Sequence, residues 1–253
     1  MSGTSVLTPV EQAGDEYWRE TRRPLVCLLF LTPLLAAYEW GVLWTGEPAS
    51  EVRNRADVWM RSGLTNAGLE HPLVLPGAVV AILLGWHVFG RFSWGVRPSA
   101  FVGMLAESLL FAFVLVLLGQ FQGRVFPAAA ALTAALPLER ETAALAVSFL
   151  GAGLYEELLF RLMLLPAIYG VLRLVRLTPP WAGAAAVVLS GVAFAAAHHL
   201  ETPGVAVPWS VFAFRAGAGA FFAGLFYWRG FGITVGAHAA YDLLVGIVLA
   251  GDP

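Results

Sequence analysis

The chain has 253 residues, 58% hydrophobic and 13% charged, with a formal net charge of −2. A soluble domain carries about one-quarter charged residues, so a water-soluble globule is excluded, and the mean hydropathy of +0.74 agrees. With no basic excess there is no electrostatic footprint for nucleic acid.

Residues 1–23 are polar and of mixed charge, with Glu11, Asp15, Glu16 and Glu20 against Arg19, Arg22 and Arg23. They have neither the apolar core nor the small-residue cleavage site of a secretory signal, so this segment is expected to be retained. Apolar stretches follow at 24–44, 73–90, 99–119, 142–165, 180–200, 208–228 and 231–250. Most are near the roughly 20 residues that cross a hydrocarbon core of about 30 Å. They predict an all-α fold, a polytopic transmembrane helical bundle of about seven spans, within a range of about six to eight. The second stretch is short, and Glu107 interrupts the third. Segment 125–138 is apolar and bracketed by Pro127 and Pro137; it is expected to lie on the membrane or to re-enter it. The stretch 166–177, after Pro166, reads as an interfacial continuation carrying Arg173 and Arg176. The longest polar connection, 45–71, sets Arg53, Arg55 and Arg61 against Glu47, Glu51, Asp57 and Glu70. With no repeat and no low-complexity linker, the chain divides into a polar segment, 1–23, and a single transmembrane domain, 24–253.

Every basic residue is Arg. With the N-terminus inside, the inner segments hold Arg19, Arg22, Arg23, Arg91, Arg97, Arg173, Arg176 and Arg229; the outer ones hold Arg53, Arg55, Arg61, Arg124 and Arg140. The excess favours an N-terminus on the inner side. Trp40, Trp44, Trp86, Trp94, Trp181, Trp209 and Trp228 lie near span ends, where amphipathic rings prefer the interface. Cys27, the one cysteine, sits in the first apolar stretch, so it forms neither an intrachain disulfide nor a thiolate cluster and reads as a small hydrophobe.

An ionisable side chain in a bilayer core is costly and asks for a partner or a function. Glu39, Glu107, Glu156, Glu157, Arg161, His198, His199, Arg215, His238 and Asp242 are the candidates. Glu39 and Arg215 fall nearer an interface and read as structural, and Glu107 stands alone in its span. Glu156, Glu157 and Arg161 are different, because two carboxylates and a guanidinium fall within two turns of one apolar helix. Glu157 and Arg161 are i and i+4, so they share a face and can pair. Glu156 is rotated by about 100°, which leaves a second buried acid free to face elsewhere. His198 and His199 lie near the end of the fifth stretch, and His238 and Asp242 are i and i+4 on the seventh. On straight helices the depths of Glu156, His198 and His238 do not coincide, so the fourth and fifth spans must be tilted or broken, or the boundaries shifted.

A carboxylate and imidazoles in a water-accessible membrane cavity suit hydrolysis, with the acid taking a proton from water and other groups stabilising the oxyanion. No His-Glu-x-x-His zinc motif is present. A serine scheme at Ser190-Gly191 has Val188 where glycine is expected, and an aspartyl pair has only Asp242 within a span, Asp252 being next to last.

Three motifs in order, Glu-Glu-x-x-x-Arg (Glu156, Glu157, Arg161), Phe-x-x-x-His (Phe194, His198) and His-x-x-x-Asp (His238, Asp242), resemble the CPBP family. That family includes the CAAX-processing type II proteases and many prokaryotic relatives. The resemblance covers about 140–250. It implies an intramembrane endopeptidase in which Glu156 activates water, His198 orients that water or shares its proton, His238 and Asp242 stand near the oxyanion, and Glu157 and Arg161 support the site. Asp242 stands where the CAAX-type enzymes usually have Asn. An ionised Asp cannot donate to an oxyanion, so it stays protonated, leaves that role to His238, or helps hold a cation. Glu156, His198 and His238 would be the ligands of a zinc ion; the glutamate mechanism that the resemblance implies uses no cofactor. The expected partners are the lipid bilayer and a membrane-anchored protein or peptide substrate. Likeness to the prokaryotic variants points to a bacterial cytoplasmic membrane. The alternatives are a transporter or channel subunit, for which inverted repeats are expected and not visible, and an inactive relative that binds partners.

Overall fold

The computed structural model describes residues 9–46, 48–125, 142–200 and 208–249. Every regular element among them is helical. In chain order these are α1 (Pro9–Thr21), α2 (Pro24–Trp44), α3 (Ala49–Val52), α4 (Arg55–Asn66), α5 (Val74–Phe89) and α6 (Pro98–Val125). Then come α7 (Thr142–Leu174), α8 (Pro179–Leu200), α9 (Trp209–Arg229) and α10 (Phe231–Val248). The helices α2, α6, α7, α8, α9 and α10 are long and apolar enough to cross a membrane, and α5, with 16 residues, is a shorter apolar helix. The chain is therefore a polytopic helical membrane protein. The expected segment 125–138 lies outside the described residues beyond 125.

Side-chain chemistry accounts for the starts and the faces. Pro24 occupies the first turn of α2, where its missing N–H costs no helical bond, and Pro179 opens α8. Along α6, Val102, Leu105, Leu109, Phe113 and Leu117 are exposed, as a lipid-facing surface requires. Trp40, Trp44, Trp94, Trp181, Trp209 and Trp228 are all exposed at helix ends or in connections.

The most enclosed helix is α7, with 67% of its most apolar window buried against 28% for α6. It runs unbroken through Pro166 to Leu174, so 166–177 is largely the end of a 33-residue helix rather than a separate interfacial piece. Two wider π-turns interrupt it, at Ala152–Glu156 and Leu158–Leu164. Such turns loosen the i→i−4 ladder and occur often at functional sites. Ser190 on α8 donates its hydroxyl to the Phe160 carbonyl at 3.2 Å and so serves this irregular stretch.

Small residues let the backbones meet. A Cβ added to Gly153 of α7 would fall 2.8 Å from the Ala239 backbone nitrogen of α10. At the α8–α9 crossing, Gly219 faces Gly191 so closely that its Cβ would stand 2.8 Å from the Gly191 Cα. These contacts draw α7, α8, α9 and α10 around one centre.

The depth mismatch expected for straight helices is resolved at two places. The helix α7 is continuous but widened by its π-turns, and the α9–α10 turn is recessed. Arg229, just before that turn, is 1% exposed, and Phe231, Ile233 and Thr234 just after it are buried. The Arg229 guanidinium lies 3.8 Å from the Trp18 ring centroid of α1, which covers this end of the bundle. His238 thus starts from a turn inside the bundle. Arg229 is also not a loop charge, so it leaves the Arg tally that bears on orientation.

Candidate active site

Glu156, Glu157 and Arg161 sit on the π-turn stretch of α7 with 4%, 0% and 0% exposure. Around them the bundle brings His198 of α8 and His238 and Asp242 of α10. Glu157 Oε1 accepts from His238 Nδ1 at 2.6 Å. A carboxylate can only accept when ionised, so this bond fixes the imidazole with Nδ1–H towards Glu157 and Nε2 on the other side. That Nε2 is 3.8 Å from Glu156 Oε2 and 3.4 Å from Asp242 Oδ2. The His238 ring stacks on Phe222 at 4.6 Å.

His198 is held in the same sense. Its Nδ1 donates to the Phe194 carbonyl at 2.9 Å, because a carbonyl offers only an acceptor. Its Nε2 then points at Glu156 Oε2, 3.7 Å away. Glu156 Oε2 is buried and has no hydrogen-bond partner in the protein. Two imidazole nitrogens and one carboxylate oxygen therefore converge on one small space, just beyond direct hydrogen-bond distance of one another.

Arg161 contacts Glu157 through Nε and Oε2 at 3.0 Å, the i,i+4 contact expected from spacing. The two atoms are nevertheless not aligned as a hydrogen bond. Arg161 Nη2 donates instead to the Gly219 carbonyl of α9 at 3.1 Å, and the guanidinium packs over the Phe194 ring at 4.6 Å. Glu157 is thus shared between an arginine and a histidine, a second partnership that local spacing did not reveal.

The other Glu156 oxygen has a partner that the sequence reading missed. Asn54 Nδ2, at the start of α4 in the connection 45–71, donates to Glu156 Oε1 at 2.8 Å. The same connection carries a charge lattice. Buried Asp57 accepts from Tyr38 at 2.7 Å, from Arg53 Nη1 at 2.7 Å and from Arg61 Nε at 2.6 Å. Glu39 of α2 accepts from Arg61 at 2.8 Å, from Arg53 at 3.3 Å and from Tyr155, the neighbour of Glu156, at 2.6 Å. Burial disfavours the Arg53 charge, but Asp57 and Glu39 outweigh it and hold the guanidinium above its usual range. Nothing local in the sequence marked the reach of Asn54 to α7.

Other candidates fall outside this cluster. Glu107, which read as solitary, accepts two parallel hydrogen bonds from Arg229, 2.6 Å each. His199 packs edge-on to Phe212, and Cys27 is a buried free thiol. Asp252 lies outside the described residues. Among the described residues no three or more His, Cys, Asp or Glu side chains are arranged to hold a metal ion.

Residues 138–244 match the family model described as type II CAAX prenyl endopeptidase Rce1-like. That range holds Glu156, Glu157, Arg161, His198, His238 and Asp242, and leaves out Asn54 and the lattice around Asp57. No curated protein and no solved structure matches the chain.

Proposed function

We propose, from the match of residues 138–244 to the type II CAAX prenyl endopeptidase Rce1-like family model, that the chain is an intramembrane endopeptidase acting on a membrane-anchored protein or peptide. The nucleophile is a water molecule activated by Glu156. The observation that carries this reading is the convergence of Glu156 Oε2 with His198 Nε2 at 3.7 Å and His238 Nε2 at 3.8 Å. A water placed between them can donate to two of these three acceptors at a time, and separations above about 3.5 Å suit such a bridge.

Glu156 Oε2 takes a proton from that water, and the oxygen attacks the scissile carbonyl carbon, pushing its electron pair onto the carbonyl oxygen. His198 Nε2 accepts the second water hydrogen and orients the attack. The oxyanion forms on the side of His238, whose orientation Glu157 sets through Nδ1; with Nδ1–H given to Glu157, the ring donates to the oxyanion from Nε2 only as the imidazolium. As the tetrahedral intermediate collapses, the C–N bond breaks and Glu156 returns its proton to the leaving amine. Asp242, 3.4 Å from His238 Nε2, donates to the oxyanion only when protonated.

The test is peptide cleavage by purified protein in proteoliposomes. Two fluorogenic probes are used, a prenylated C-terminal Cys-aliphatic-aliphatic-X peptide and a single-helix membrane peptide. Glu156→Gln keeps the shape of the side chain but cannot accept the proton; it should lose at least about 10²–10⁴-fold in kcat with little change in melting temperature. Chelator treatment should leave activity intact, and loss restored by zinc would replace the metal-free scheme. A Glu156→Gln protein that cleaves at the wild-type rate would overturn the reading in favour of transport or partner binding.

We further propose a bacterial cytoplasmic membrane, from the Asp242 variant's likeness to prokaryotic relatives, with the N-terminus inside, supported by the Arg bias after removal of Arg229. Because Cys27 is buried, single cysteines placed at Gly14 and Gly63 report sidedness. Only the first should be labelled from the cytoplasm.

A further inference from the structure

Asn54 lies outside the family-matched residues, yet it is tied directly to Glu156. Its amide orientation is fixed by α4 rather than by the site. As the N-cap of α4, Asn54 accepts the Ala56 N–H on Oδ1 at 2.8 Å. A cap needs an acceptor there, so the oxygen is committed to the helix and the NH₂ group faces α7. The backbone on either side is held as well. The Asn54 N–H donates to the Tyr38 hydroxyl at 3.4 Å, and the adjoining Arg53 and Asp57 are locked to one another at 2.7 Å.

We propose that Asn54 is a positioning residue of the reaction, engaging Glu156 Oε1 so that Oε2 alone faces His198 and His238 and receives the water proton. This rests on Glu156 acting as the base. A carboxylate held by one oxygen cannot swing, and its second oxygen stays aimed at the two Nε2 atoms. The connection 45–71 thereby completes a site whose other members come from α7, α8 and α10. Two identical oxygens become one anchored and one reactive.

Asn54→Ser and Asn54→Asp test this, because both keep a good capping oxygen. Ser is too short to reach Glu156, and Asp puts an acceptor where the donor stood. Using the prenylated and single-helix peptide probes, kcat should fall by about 10- to 100-fold, the worth of a hydrogen bond to a charged group, with Asp the lower. KM should stay within about twofold and melting temperature nearly constant, since uniform binding and the cap are untouched. Infrared difference spectra supply a readout that needs no turnover. The Glu156 carboxylate band, identified by its loss in Glu156→Gln, should shift in both variants. Wild-type kcat with an unmoved band would overturn the proposal. So would a fall in kcat matched by a fall in melting temperature with the band unmoved, which assigns Asn54 to the cap alone. If Glu156→Gln remains active, the base assignment falls instead, and the band shift still decides whether Asn54 anchors that carboxylate.

Discussion

The carboxylate–guanidinium pairs Glu107–Arg229 and Glu157–Arg161 are built differently. Glu107 of α6 gives both of its oxygens to Arg229, at 2.6 Å each, and Trp18 covers the guanidinium. Glu157 of α7 instead divides its oxygens, one to His238 Nδ1 at 2.6 Å and one to a misaligned contact with Arg161 at 3.0 Å. A pair spent on itself joins helices. A pair that reserves an oxygen for an imidazole also sets the direction of that ring, so its loss reaches the chemistry.

The largest contrast should come from two parallel amide substitutions. Glu157→Gln removes the charged acceptor of His238 and should lower kcat by roughly 10²-fold or more, the lower end of what acid–base machinery supplies. Glu107→Gln should lower melting temperature while leaving kcat per folded molecule unchanged. Equal kcat losses in the two variants would erase the distinction.

Next come the arginines. Arg161→Ala leaves Glu157 buried without its cation and should destabilise by about 3–5 kcal/mol. Arg229→Ala should cost less, because the Glu107 side chain is 22% exposed and keeps some access to solvent. Thermal melts in one detergent measure both. The closed pair should also be replaceable. Glu107→Leu combined with Arg229→Met should recover most of the stability lost by either change, since an apolar pair needs no desolvation of charge. A double variant less stable than Arg229→Ala would show that the pair contributes more than helix joining.

The smallest effect concerns Glu20, at the end of the bundle covered by α1. Burial pushes its carboxyl up, but the Arg97 backbone N–H at 2.7 Å, the Arg97 guanidinium and Arg23 outweigh this and hold it below the ordinary carboxylate range. A group depressed in the folded state contributes stability above its unfolded value, about 4.3 for Glu. That contribution is lost as pH falls through the lower folded value. Melting temperature should therefore decline on acidification below about pH 4, and more weakly in Glu20→Gln.

Much of the scaffold could be read one residue at a time. Apolar runs starting at 24, 99 and 180 fall within a residue of the helix starts at Pro24, Pro98 and Pro179, and the Phe194–His198 and His238–Asp242 spacings placed each side chain on its helix. Where the reading went wrong, the missing information was a neighbour. Glu107 looked solitary because its partner, Arg229, is 122 positions away. Arg229 looked like a loop charge because the burial of its turn beneath α1 leaves no local mark. Helix α7 was expected to end its span near 165, and nothing in its composition announced the two π-turns.

By itself, then, the amino-acid sequence determined that the chain crosses a bilayer repeatedly and that Glu156, Glu157, Arg161, His198, His238 and Asp242 fall in three ordered motifs resembling those of the CPBP family. Both properties are local, the first resting on the length of an apolar run and the second on spacing along one helix. Only the tertiary structure decided that Glu157 bonds His238, 81 positions on, and that Asn54, 102 positions before Glu156, donates to its carboxylate. The partner of a buried charge depends on which helices lie side by side and how closely they approach. That approach is set jointly by distant small residues such as Gly153 and Ala239, so no single segment contains it.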